Sequence, residues 1–276
     1  MSDNKAGLIL VGTPIGNLSD FSPRGIKALS DCDFIAAEDT RVTLKLLSHF
    51  GIKKPMISYY QHNMREQGSH ILDRIAAGET CCLVTDAGMP AISDPGELLV
   101  AQCHDAGIPV MVVPGPTAVA AALALSGLST GRFCFEGFLS VSKQSRRRHL
   151  SEIKFETRTL VFYEAPHKLP YTLRDLLDAL GDRRVAILRE LTKLHEEVIR
   201  TTLSEAAERY SQSTPRGEFV LVIEGAKPPD EPEYTLDQAV EIAQDLAMQG
   251  LSKSDAARQA AKRSGIKKSD IYQGLI

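Results

Sequence analysis

Short apolar runs with few polar interruptions recur through the first part of the chain, at Leu8–Val11, Phe34–Ala37, Met56–Tyr60, Cys81–Val84 and Val110–Val113. Between them lie segments with helical periodicity, Arg24–Ser30, Thr43–Phe50, Gln67–Ala77 and Glu97–Ala106. A strand covered on both faces needs no polar alternation, so this order predicts a parallel sheet with helices on both sides. Ala118–Ser126 follows as a small-residue helix, closed by Gly127 and suited to tight packing.

A second series predicts strands at Phe133–Phe138, Leu160–Tyr163, Val185–Leu188 and Phe219–Glu224, with helices at Arg147–Phe155, Tyr171–Leu180 and Ser204–Tyr210. Glu196–Leu203 leaves a further strand open, so this half need not be purely parallel. The helix signals stop at 127–132, which puts a boundary there. Further on, the acidic, proline-rich stretch AKPPDEPEY reads as a linker. Beyond it come helices at Leu236–Met248, Lys253–Lys262 and Ser269–Leu275, with Arg263–Ile266 as a turn and Ser269-Asp270 as a new N-cap. That spacing resembles a helix-turn-helix. The expected α/β chain thus has an N-terminal domain over 1–127, a C-terminal α/β domain over 128–229 and a helical module over 230–276.

Hydrophobic residues make up 43% and charged residues 24% of the 276 positions, as in ordinary globular proteins. The longest apolar stretch, Ala118–Leu125, falls short of the roughly 20 residues that span a bilayer. The polar start, MSDNKAG, reads as neither signal nor transit peptide. Cys32, Cys81, Cys82, Cys103 and Cys134 include no CxxC pair, and neighbours on one strand such as Cys81 and Cys82 point to opposite faces. Reduced thiols in a soluble cytoplasmic protein are the expectation.

The net charge of −3 conceals an asymmetry. Residues 251–276 carry six Lys or Arg against two Asp or Glu, while 230–250 hold six acidic residues and no basic one. A basic tail on an acidic body fits a nucleic-acid contact, and equally a solvated helical face.

Four Gly/Pro-rich loops follow expected strands: VGTPIGNLSD (11–20), VTDAGMPAISDPG (84–96), VVPGPTAVAAA (112–122) and FYEAPHK (162–168). Open α/β sheets bind ligands at the carboxyl ends of their strands. Proline stiffens such loops and glycine lets backbone approach a ligand, which favours a small-molecule site over mere connections. GxGxxG, GxxxxGK[ST], HExxH and GxSxG are all missing, and no His/Cys cluster has zinc spacing, so no metal is expected. Asp86 reads as a cap on its own loop.

With AAEDTR (36–41), PGPTA (114–118), FCFEGFL (133–139), RELTKLHEE (189–197) and GEFVLVIEG (217–225), these loops resemble the tetrapyrrole methylase superfamily of S-adenosylmethionine-dependent methyltransferases. Within it, the chain is similar to the enzymes that methylate a cytidine ribose 2′-hydroxyl of small-subunit (16S) ribosomal RNA near the decoding centre. The resemblance implies two α/β lobes with S-adenosylmethionine in the cleft between them. It implies donor contacts from Ile15, from Gly88, Met89 and Ile92, from Thr117 and Ala118, and from Tyr163 and Ala165. It also implies a homodimer that acts on ribosomal RNA, within the small ribosomal subunit, away from any membrane.

A ribose hydroxyl is a poor nucleophile and gains from a base or from a cation beside the emerging alkoxide. Glu38, His62 and Lys193 are the candidates for that work, although Glu38–Arg41 and Glu190–Lys193 fit local salt bridges as well. For RNA, the candidates are Arg41, the run Lys143, Arg146, Arg147 and Arg148, and Lys267 and Lys268 in the tail. Cations at a helix start oppose its dipole, which favours phosphate binding for that run. Two alternatives remain beside this reading. One is a methylase of a tetrapyrrole or a protein side chain on the same fold, which the basic segments argue against. The other is a non-catalytic ribosome-binding adaptor, which the intact donor loops argue against.

Overall fold

The computed structural model describes residues 6–212, 215–227 and 234–276. The first residues of MSDNKAG and most of the proline-rich linker lie outside the described residues. The chain divides into two compact units, Met1–Ala226 and Lys227–Ile276.

In the first unit, β1 (Gly7–Val11), β2 (Phe34–Ala37), β3 (Met56–Ser58), β4 (Thr80–Val84) and β5 (Val110–Val113) form a sheet in the order β3-β2-β4-β1-β5. Every pairing in it is parallel. The helices α1 (Pro23–Asp31), α2 (Thr40–His49), α3 (Met64–Ala76) and α4 (Glu97–Asp105) alternate with these strands. Cys82 enters the core on one face with Leu29 and Leu47, and Cys81 enters the core on the other with Ile71 and Leu99. This two-sided burial is why the strands read as continuous apolar runs. All five cysteines are free thiols.

Because β4, β1 and β5 are neighbours, the loops that follow them leave the sheet side by side. They are fastened to one another. Thr13 and Gly88 form an antiparallel bridge, and the Thr13 hydroxyl donates to the Thr85 carbonyl at 3.1 Å. Gly12 and Gly115 meet backbone to backbone: a Cβ on Gly115 would lie 2.6 Å from the Gly12 carbonyl oxygen.

The next helix, α5 (Ala118–Ser126), ends on Gly127 in the left-handed conformation. It does not cover the first sheet. Val119, Ala122 and Leu123 pack instead with Val161, Ala186, Leu188, Val220 and Val222 of a second sheet. That sheet comprises β6 (Phe133–Phe138), β7 (Thr159–Glu164), β8 (Arg184–Arg189), β9 (Glu197–Thr202) and β10 (Phe219–Ile223), ordered β6-β7-β10-β8-β9. Only β6 and β7 pair in parallel. Within the segment at 196–203, Glu197–Thr202 is a strand, and this half is mixed. The helices α6 (Lys143–Glu152), α7 (Leu169–Leu180) and α8 (Leu203–Tyr210) complete this layer. Arg200 of β9 donates from Nε to the Ser126 carbonyl at 3.0 Å and also bonds the Leu125 carbonyl, so a cation caps the C-terminus of α5. The boundary at 127/128 separates the two sheets but not their cores, because α5 belongs to the second.

The second unit contains α9 (Leu236–Met248), α10 (Lys253–Ser264) and α11 (Lys268–Gly274). Their core is Ala239, Ala243, Ala256, Ala257, Ala260 and Ile271, small side chains that let the helices approach closely. Thr235 and Gln238 form a capping box at the start of α9. The N-cap of α11 is Lys267, without a side-chain cap, and not the expected Ser269-Asp270 pair. Gly265 in the left-handed conformation ends α10 two residues later than the sequence suggests. Among the described residues no helix is long and apolar enough to cross a membrane.

The Gly12–Gly115 contact yields a stability prediction. Gly115→Ala must push the first and third loops apart, and should lower unfolding stability by about 1–3 kcal/mol, the usual cost of overpacking. Urea unfolding measures it; an unchanged midpoint would show that the loops separate freely.

Candidate functional site

A cavity of about 380 Å³ opens where the loops after β1, β4, β5 and β7 converge. The size suits a small molecule. The first loop contributes Ile15; the second contributes Gly88, Met89 and Ile92 together with Thr85, Asp86 and Asp94. Thr117 and Ala118 come from the start of α5, and Tyr163 and Ala165 from the end of β7. All eight residues expected to contact a donor thus line one cavity. Leu191, Glu218 and the start of β10 (Phe219 and Val220) close it. The register explains their convergence, since Phe219 pairs with Glu164 at the end of β7 and with Arg189 at the end of β8.

The wall contributed by the first sheet is acidic. Glu38 accepts from the Thr85 hydroxyl at 2.5 Å and from the Asp86 backbone N–H at 3.4 Å, joining the end of β2 to the second loop. Asp86 accepts from the Asp39 N–H at 3.2 Å, so it caps the neighbouring loop and not its own. Burial and the adjacent Glu38 carboxylate raise the Asp86 pKa. Asp94 was missed by the sequence reading. Burial first, and then the charge of Glu38, push its carboxyl up to about 6, against a hydrogen bond from Thr85. A folded pKa above the unfolded value makes stability fall as pH rises through that window. The neutral-pH protein therefore holds this carboxylate at a cost, which a bound cation would offset.

Backbone strain is concentrated at the same loops. Ala91 and Ser93 in the second loop have φ of 68° and 62°, and Glu190 and Thr192, after β8, have 52° and 66°. Such conformations in non-glycine residues gather where surrounding structure fixes a site. Gly88 has φ of 89°, and a Cβ there would meet only Ile15 and Pro116, at 3.5 and 3.7 Å. The glycine is thus required by conformation, not by protein atoms crowding it. The first turn of α5 has no side-chain cap at Thr117; the Val119 N–H faces the Tyr163 hydroxyl, and the other N–H donors of that turn remain for a ligand.

A second cavity, of about 330 Å³, adjoins the first and shares Ile15, Thr85, Asp86, Ala87 and Glu218 with it. Lys193 lines it, with its ammonium 3.0 Å from Glu190 and 2.9 Å from Glu218. Burial alone would lower the lysine pKa, but the hydrogen bonds to Glu218 and Glu190 outweigh it and raise it. Lys193 is therefore a fixed cation and not a base. The salt bridge with Glu190 that the spacing allowed is present, whereas Glu38 pairs with Thr85 and not with Arg41.

Three expected residues are placed differently. His62 lines neither cavity: it is exposed beside Tyr60, with ring centroids 6.2 Å apart, just after the edge strand β3. Arg146 faces inward and not towards solvent. It pairs with Asp175 at 2.5 Å and donates to the Thr172 hydroxyl, which bonds the buried Glu164 carboxylate. Glu164 in turn accepts from the Ala165 N–H at 2.8 Å, so Arg146 braces the fourth loop. Arg41 is exposed but forked on Asp39, whose carboxyl it holds down at about 2. Lys143, Arg147 and Arg148 are exposed on α6, with Arg148 paired to Glu152 one turn on. In the helical unit, Lys267 is exposed and Lys268 donates to the Ser254 hydroxyl at 2.9 Å.

Comparison with known proteins agrees with this geometry. Residues 7–207 match the family described as Tetrapyrrole (Corrin/Porphyrin) Methylases. Proteins named Ribosomal RNA small subunit methyltransferase I align over almost the whole chain. That of Synechocystis sp. is 47% identical over 96% of this chain and 96% of its own. That of Pseudomonas aeruginosa is 41% identical over 98% and 96%. Among solved structures, the methyltransferase CobJ superposes with a TM-score of 0.62 at 18% identity, covering 80% of this chain and 95% of that one. Uroporphyrin-III C-methyl transferase from Thermus thermophilus, complexed with S-adenyl homocysteine, gives 0.57 at 20% identity, covering 79% and 97%. These two likenesses speak for the fold alone. The chain belongs to the tetrapyrrole methylase family, and within it to the group of ribosomal RNA small subunit methyltransferase I proteins.

Proposed function

We propose that this chain transfers a methyl group from S-adenosylmethionine to the ribose 2′-hydroxyl of a cytidine in small-subunit ribosomal RNA, near the decoding centre. The observation that carries this reading is the pair of contiguous cavities with a common wall. Direct transfer needs donor and acceptor in contact and aligned, and alignment supplies much of the acceleration. The name shared by its near full-length relatives supports the RNA substrate.

The residues of the first cavity fit the donor. Ile15, Met89, Ile92 and Ala118 offer apolar surface, the first turn of α5 offers N–H donors, and Glu38, Asp86 and Asp94 offer negative charge. When bound, S-adenosylmethionine supplies a methyl group already activated by a positively charged sulfur. The protein's own groups then act on the acceptor. We assign Glu38 to accepting the hydroxyl proton, and Lys193 to stabilising the negative charge that develops on the oxygen. His62 has no part. Arg41, Lys143, Arg147, Arg148, Lys267 and Lys268 are assigned to RNA phosphates, contacts that position without reading sequence. The surface pairs that Arg41 and Arg148 now make cost little to exchange.

The same reading places the enzyme in the cytoplasm, acting on RNA within the small ribosomal subunit, as a homodimer. The edge strand β5 exposes Met111 and Val112, an apolar surface that such an assembly would cover.

Mass spectrometry of nucleosides from small subunits treated with enzyme and deuterated donor should find the label on a cytidine ribose. Label on a base, or only on an added tetrapyrrole, would overturn the substrate. In the same assay Lys193→Ala should slow turnover by roughly 10²-fold or more, and Glu38→Ala by roughly 10²–10⁴-fold. His62→Ala should stay near the wild-type rate.

Donor binding should also depend on pH. Asp94 attracts a cation only when ionised, so affinity should rise as pH passes upward through about 6. Calorimetric titration from about pH 5 to about pH 7.5 reads it, and Asp94→Asn should flatten the profile. A flat wild-type profile would remove Asp94 from the donor's surroundings.

A further inference from the structure

A third cavity, of about 440 Å³, gathers three arginines: Arg189 at the end of β8, Arg209 in the last turn of α8, and Arg216 just before β10. Tyr210 and Phe219 also line it, with their rings edge to face at 84° and centroids 6.2 Å apart. The Nε of Arg189 donates to the Arg216 carbonyl at 2.7 Å, which ties the two segments together.

The charges here are not balanced. Among the described residues, Glu197 is the one carboxylate in the lining, and it stands 3.6 Å from Arg189 and 3.6 Å from Arg209. The Arg158–Glu156 pair, by contrast, closes to 2.6 Å. One carboxylate is thus divided between two guanidiniums, and Arg216 adds a third, exposed cation. Like charges held together repel, and an anion at their centre relieves that repulsion. Guanidinium forks match phosphate oxygens in two-point contacts.

Chain connectivity relates this cavity to the site. Arg189 directly precedes Glu190, and Arg216 lies two residues before Glu218, the two carboxylates that hold Lys193. Phe219 lines both the third cavity and the first. We propose that the Arg189–Arg209–Arg216 cavity binds a backbone phosphate of the RNA acceptor, beside the nucleotide presented for methylation. This rests on the reading of the chain as an RNA methyltransferase.

The full-length Arg209→Ala/Arg216→Ala double variant tests it, with naked small-subunit ribosomal RNA as the probe. Affinity at about 0.15 M salt should fall about tenfold or more, and the slope of log affinity against log salt should become shallower by about two. Donor affinity and melting temperature should be unchanged. The Arg209→Lys/Arg216→Lys variant should restore the salt slope but only part of the affinity, because lysine lacks the fork. Wild-type affinity and slope in the alanine variant, with RNA methylation intact, would overturn the phosphate site and leave the functional reading standing. RNA that neither binds nor accepts methyl groups from the wild-type protein would overturn both.

Discussion

One helix holds the two sheets in register. The chain leaves the first sheet at β5, and α5 then buries its apolar side chains against the second. Had α5 covered its own sheet, as α1 to α4 do, the loops after β1, β4 and β5 would face solvent. Instead the N-terminus of α5 lies at the floor of a cleft, with those loops on one side and the ends of β7, β8 and β10 on the other. Its small residues are part of the reason, because Ala118, Ala121 and Ala122 allow close approach to the second sheet. Arg200 on the carbonyls of Leu125 and Ser126 secures the far end of the helix.

The cleft so formed stores unfavourable energy that a ligand relieves. Three carboxylates share one wall, four non-glycine residues adopt left-handed backbone conformations, and the first turn of α5 lacks a side-chain cap. Each of these costs stability in the free protein. A cation among the carboxylates and an acceptor on the free N–H groups offset two of the three. The stability comes from elsewhere, in the dense apolar cores on the faces of the two sheets.

How much of this was legible in the sequence follows from which physical signals are local. Continuous apolar runs mark strands buried on both faces, so the first sheet was readable. β9 is only half buried and carries Arg200 and Thr201 among its apolar residues, so its sequence left the strand ambiguous. Helix starts were read late, at Thr43 for α2 and Arg147 for α6, because their first turns are polar. The donor loops were legible because glycine and proline punctuate them. Strand order was not. β3 lies at the sheet edge furthest from β5, which carries His62 away from the cavities despite its place after a strand. Arg146 was misread because a basic run hides which member faces inward. Asp94 and Glu218 gave no signal, since a carboxylate in a loop looks like any cap until burial and neighbours are known.

The distribution of charge then constrains how a polyanion meets this site. Glu38, Asp86, Asp94 and Glu218 make the inner cavity hostile to phosphate, whose entry would bring like charges together in a partly desolvated space. Only the uncharged face of a nucleotide, its ribose or base, can approach the shared wall, and the phosphates on either side must stay outside it. Lys193 sits at that border, held by Glu190 and Glu218, so the innermost cation of the second cavity is already partly neutralised. Anchoring must come from cations on the surface beyond. On the proposed reading, an acidic interior with its cations outside sorts the two substrates by sign: the positively charged donor is drawn inward, and the RNA backbone is kept at the rim with one sugar turned in.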